Sequence, residues 1–125
     1  MSLIVVIEDQ PENARLAEKL LRRSGHEVVI AEDGEIGITA VLDLQPDLVL
    51  IDLGLPDLDG QTIVAILKQE AELVKAPLIA FTAYPESTAH EMAKAYGCDG
   101  VITKPINTRT FADQVTAFLR AAAER

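Results

Sequence analysis

Short, continuously apolar runs alternate along this chain with longer stretches in which apolar residues recur at helical spacing. Leu3 to Ile7 is one such run; Leu48 to Ile51, after Asp47, and Leu78 to Phe81, after Pro77, are two more. Runs without polar alternation belong to strands covered on both faces, so these three are placed in the middle of a parallel sheet. The runs around Val28-Val29-Ile30 and Val101-Ile102-Thr103 are shorter and more polar at their ends, which suits positions nearer the edges. Between the runs lie helices. Pro11 opens the first as an early-turn proline, Leu16, Leu20 and Leu21 form its buried stripe, and Gly25 ends it. Pro85 favours the start of a fourth helix and Gly97 stops it. Asn107 is the expected N-cap of the fifth, in which Phe111, Val115, Phe118 and Leu119 recur at i, i+4, i+7 and i+8. The pattern predicts one α/β domain over residues 1–125, five βα units with helices on both faces of a parallel sheet.

Such a sheet dictates where chemistry should lie. Right-handed crossovers and a reversal of strand order bring the carboxyl ends of strands one, three and four together, where open α/β sheets bind ligands. The residues at the strand ends are Glu8-Asp9, Asp52, Thr82 and Lys104-Pro105. Each has a plain reading alone: an acidic turn before a helix, a turn-forming aspartate, a β-branched strand residue, a surface lysine before a strand-ending proline. Coincidence at all four strand ends explains them poorly. Three carboxylates against one ammonium repel one another unless a cation joins them. A hard, oxygen-only site with few protein ligands suits Mg²⁺ better than Ca²⁺, and zinc is excluded because no His or Cys is at hand. A carboxylate held there beside a lysine and a hydroxyl can attack a phosphoryl group, giving an aspartyl phosphate.

Composition narrows the partners. The chain of 125 residues has 11 Lys and Arg against 20 Asp and Glu, a formal charge of −9 that repels nucleic-acid backbones and anionic lipid. Neither nucleic acid nor a membrane is therefore expected as a direct partner. Cys98, the single cysteine, is read as a small residue in the turn before strand five and offers no disulfide. The N-terminal segment has no basic stretch, and its apolar run is too short for a signal peptide or a membrane span, so the reducing cytoplasm is the expected compartment. His26 and His90 are read as solvated surface residues.

The sequence also resembles the receiver domains of two-component response regulators over essentially its whole length. The likeness rests on Val5-Val6-Ile7-Glu8-Asp9, on the stretch from Asp47 to Gly60 around Asp52, on Phe81-Thr82-Ala83, and on Gly97-Cys98-Asp99-Gly100 leading to Thr103-Lys104-Pro105-Ile106. It implies a flavodoxin-like sheet of strand order 2-1-3-4-5, with Asp52 as phosphoacceptor. Asp9, Asp52 and the Gly54 carbonyl would ligate Mg²⁺ directly and Glu8 through water. Thr82 and the Ala83 N–H would hold phosphoryl oxygens, Lys104 would pair with another, and a cis bond before Pro105 would aim the Lys104 segment. The donor would be a histidine kinase or a histidine phosphotransfer protein. A downstream protein would be met on the face of the fourth helix, fifth strand and fifth helix. Such a chain is a signalling switch and catalyses only its own phosphoryl transfer and slow dephosphorylation. One departure stands out: many relatives carry an aromatic switch residue three positions before the lysine, and here it is Val101.

Competing readings fail on particular residues. A calcium loop through Asp57-Leu58-Asp59-Gly60 would begin at Leu55 and end at Ile66, without its essential acids. A nucleotide fold needs glycines after strand one, where this chain has Glu8-Asp9-Gln10-Pro11-Glu12. An aspartyl-phosphate phosphatase would place Asp-x-Asp after strand one, and a phosphorylation-silent binding module would have lost an acid, the Thr or the Lys. A free regulator, a phosphorelay intermediate and a receiver from a longer protein all remain compatible.

Overall fold

The computed structural model describes residues 2–124; the outermost residues of the predicted domain, Met1 and Arg125, lie outside the described residues. Its elements run β1 (Leu3–Ile7), α1 (Pro11–Arg23), β2 (Glu27–Ala31), α2 (Gly34–Leu44), β3 (Leu48–Asp52), α3 (Gly60–Gln69), β4 (Leu78–Thr82), α4 (Glu86–Tyr96), β5 (Gly100–Thr103) and α5 (Phe111–Ala123). All strand pairs are parallel, in the order β2-β1-β3-β4-β5, as the family resemblance implied.

The period of two along a strand sorts the core into two layers. Ile4 and Val6 of β1, Leu48 and Leu50 of β3, and Ile79 and Phe81 of β4 face one side. There Leu20 and Leu21 of α1 and Phe111 and Val115 of α5 cover them. Val5, Ile7, Val49, Ile51 and Leu78 face the other, under Val41 of α2 and Ile63, Val64 and Leu67 of α3. Both faces are thus apolar, which is why the central strands read as unbroken hydrophobic runs.

Helix ends follow local chemistry, with one exception to expectation. Pro11 occupies the first turn of α1, and Gly97 ends α4 at φ 88°, where a side chain would be strained. Asn107 does not cap α5. Its Oδ1 accepts from Arg109 N–H at 3.0 Å and its carbonyl from Phe111 N–H at 2.9 Å, so it closes a separate turn and the helix begins only at Phe111. His26 also departs from expectation: it is half-buried, and its Nε2 is enclosed without a hydrogen-bond partner among the described residues. Burial lowers its pKa against the pull of Asp47. His90 is exposed as expected. Among the described residues, no helix is long and apolar enough to cross a membrane.

Register then fixes the functional end of the sheet. Ile7 pairs with Ile51, Asp52 with Phe81, and Thr82 with Thr103, so the residues closing β1, β3, β4 and β5 line up along one rim.

Candidate functional site

Glu8 is the first residue past β1. Its N–H donates to the Ala31 carbonyl at 2.9 Å, which keeps the backbone on the sheet line and turns the side chain inward, where it is 1% exposed. One carboxylate oxygen, Oε2, accepts from Gln10 N–H at 3.1 Å, and the other, Oε1, lies 2.5 Å from Lys104 Nζ. Asp52 closes β3 and is also buried; its Oδ1 accepts from Gly54 N–H at 2.8 Å, and its Oδ2 lies 3.3 Å from the same ammonium. Lys104 follows β5, tied to β4 by its N–H donating to the Thr82 carbonyl at 2.7 Å, and the peptide bond from Lys104 to Pro105 is cis.

Two carboxylates and one ammonium in so dry a place cannot all be fully charged at equal cost. Burial, then the nearby Asp52 carboxylate, push Glu8 up to about 7, against the pull of Lys104. Burial works against ionising Asp52 as well, but contacts with Glu8, Gly54 N–H and Lys104 outweigh it and hold its pKa below the usual range. Of the two, Glu8 therefore keeps its proton to higher pH, and Asp52 is the more readily ionised member.

Glu8, Asp9 and Asp52 each present a carboxylate oxygen, and these oxygens lie within 4.8 Å of one another. An all-oxygen, anionic donor set with a raised Glu8 pKa is the signature of a site short of positive charge. That chemistry fits a hard divalent cation such as Mg²⁺. A cavity of about 320 Å³ beside Asp52 is lined by Asp52, Gly54, Thr82, Ala83, Tyr84, Pro85 and Lys104. Glu8, Asp9, Thr82, Ala83 and Lys104 thus gather around Asp52, with the ammonium in contact with both Glu8 and Asp52. Val101 stands apart, paired with Ala80 and packed with Leu53, Ala93, Met92, Tyr96 and Cys98.

Two neighbours were missed in the sequence. The Lys104 ammonium sits 4.8 Å from the centre of the Phe81 ring, a cation–π contact that steadies it. Tyr84 N–H donates to Thr82 Oγ1 at 3.2 Å, and the half-exposed Tyr84 forms part of the cavity wall. Only its position two residues beyond Thr82 could have pointed to it.

A doubly wound parallel sheet with an acidic, lysine-bearing rim places the chain among α/β proteins whose site lies at the carboxyl ends of the strands. The response regulator receiver domain family matches residues 4–116, and the chain belongs to that family. It is 30% identical over 116 residues to the polar-differentiation response regulator DivK of Brucella anthropi, covering 93% of this chain and 94% of that protein. The same regulator of Brucella ovis is also 30% identical with the same coverage. In fold it is similar to a CheY-like receiver domain protein from Methanospirillum hungatei, with a TM-score of 0.85 at 23% identity, covering 99% of this chain and 98% of that one. The chemotaxis response regulator CheY4 of Vibrio cholerae matches with a TM-score of 0.87 at 20% identity, covering 94% and 98%.

Proposed function

We propose that Asp52 is the phosphoacceptor of this receiver domain and that it takes its phosphoryl group from the phosphohistidine of a histidine kinase or phosphotransfer protein in the cytoplasm. The observation that carries the reading is the buried Asp52 carboxylate, gathered with the Glu8 and Asp9 carboxylates and lying 3.3 Å from the Lys104 ammonium. An Asp52 oxygen attacks phosphorus, the O–P bond forms as the N–P bond breaks, and the donor leaves as neutral imidazole, keeping the proton on its other ring nitrogen. Lys104 turns from the carboxylates to the incoming oxygens, the Thr82 hydroxyl donates to one of them, and Ala83 N–H to another. Mg²⁺, held by Asp9, Asp52 and the Gly54 carbonyl with Glu8 acting through water, would supply the charge that lets an anionic phosphoryl group approach three carboxylates.

Thr82 then supplies the difference between states that a switch requires. Its displacement is transmitted along β4 to Ala80 and Val101, and so to α4 through Ala93, which packs with Val101. With no aromatic ring at position 101, repacking there replaces a ring flip, and the face of α4, β5 and α5 is the surface offered to a downstream protein.

Intact-mass measurement after incubation with Mg²⁺ and a small phosphodonor tests the assignment. One phosphoryl adduct, labile to hydroxylamine, is expected; Asp52→Asn should form none, and an undiminished adduct on that variant would refute the assignment. NMR mapping with beryllofluoride tests the output face, which fails if α4 and α5 stay silent.

A further inference from the structure

The loop between β3 and α3 carries Gly54, yet no strand or helix spans it from Leu53 to Asp59. What fastens it is Asp57. Its Oδ1 accepts from Gly34 N–H at 2.9 Å and its Oδ2 from Glu35 N–H at 3.1 Å. These are the first two amides of α2, which have no partner within their own helix. The amide of Ile36 is taken by the adjacent Asp33, whose Oδ1 accepts at 2.8 Å. One helix end thus engages two carboxylates, one local and one reaching back from 23 residues away. Beside the pair of bonds the loop packs directly on the helix: a Cβ at Gly34 would stand 3.0 Å from Leu58 Cβ and 3.1 Å from Ile63 Cδ1. Glycine at the first position of α2 is what admits the loop so closely.

We infer that Asp57 is a positioning residue for the cation site, clamping the phosphoacceptor loop to α2 so that the Gly54 segment is already ordered when the metal arrives. The inference rests on the reading of Gly54 and Asp52 as metal ligands. Asp57 itself touches neither cation nor phosphoryl group. It acts as partners behind metal ligands generally do, by removing an ordering cost from the binding step. A residue that merely capped α2 would stabilise the helix and leave metal affinity alone. Asp33 provides that comparison, since its carboxylate caps the same helix from within its own turn, accepting from Ile36 N–H.

The test is Mg²⁺ titration of the unphosphorylated protein, followed by backbone amide shifts around Gly54, for wild type, Asp57→Ala, Asp57→Asn and Asp33→Ala. Hydrogen exchange of the loop amides in chelator gives a second readout. Asp57→Ala should raise the Mg²⁺ Kd on the order of tenfold and speed loop exchange without metal, whereas Asp33→Ala should do neither. Asp57→Asn keeps the shape but points an amide N–H₂ at the Glu35 N–H, so an intermediate Kd is expected, and it carries the test if the alanine variant does not fold. Equal Kd values in the Asp57 and Asp33 variants would overturn the clamp while leaving the metal reading intact. Failure of the wild type to bind Mg²⁺ would overturn both.

Discussion

Acidic residues stand at both ends of this sheet and are handled in opposite ways. At the amino end, Asp47 Oδ2 accepts from Leu3 N–H, and Asp99 Oδ2 accepts from Leu78 N–H, each at 2.8 Å. Both also return a backbone bond, Asp47 N–H to the Leu3 carbonyl and Asp99 N–H to the Leu78 carbonyl, again at 2.8 Å. Each thus closes the first rung between neighbouring strands. At the carboxyl end Glu8 and Asp52 face each other and share one lysine. One end spends its carboxylates on strand pairing; the other holds them in a crowded state short of positive charge. Residue type alone does not separate structural from functional acids; the available donors do.

The largest effect that bears on this contrast is expected at Lys104. Lys104→Met keeps an apolar stem over Phe81 but removes the charge shared by both carboxylates, and phosphorylation by a small donor should slow on the order of a hundredfold. A rate near wild type would show that the lysine serves folding alone.

A smaller effect concerns pH. Because the Glu8 pKa is raised to about 7 from an ordinary 4.5, the folded protein holds that proton more tightly than the unfolded chain. Its contribution to stability is complete below pH 4.5 and is lost as pH rises through about 7. Denaturation in chelator should therefore show stability falling across that window. Glu8→Gln should flatten the fall, and added Mg²⁺ should reverse it. A Glu8→Gln profile that still falls as steeply would remove Glu8 as the source.

The smallest change is expected at the amino end. Asp99→Ala should cost about 1 kcal/mol through the lost hydrogen bond to Leu78, read by urea denaturation, with Mg²⁺ affinity and phosphorylation rate unchanged. Altered metal binding in that variant would break the division between the two ends.

Much of this was legible in the chain because parallel sheets impose strong grammar. Leu48 to Ile51 could only be a strand covered on both sides, and Asp52 and Thr82 could be placed as its and its neighbour's ending without any contact being known. What stayed hidden depended on distant pieces meeting. Asp57 looked like half of a rejected calcium loop, and only the folded chain sets it against the start of α2. Asn107 had the right chemistry for a cap, but Thr110 and Phe111 follow a turn first. His26 looked solvated because nothing local signals that its imidazole is enclosed. Phe81 read as one more core residue, with no hint that a lysine from beyond β5 would lie on it.

That ring has a further consequence. Phe81 meets the Lys104 ammonium at its rim-facing side and Phe111 at its inner side, the two ring centres 5.9 Å apart and tilted by 39°. The ammonium end of Lys104 is thus set over the face of an aromatic ring, in a chain with no tryptophan and only three phenylalanines to crowd the spectrum. On the proposed reading Lys104 leaves the ring when it turns to a phosphoryl oxygen, and the chemical shifts of its side-chain protons should then change. Those shifts would then serve as a magnetic indicator of whether the lysine rests on the ring or has left it.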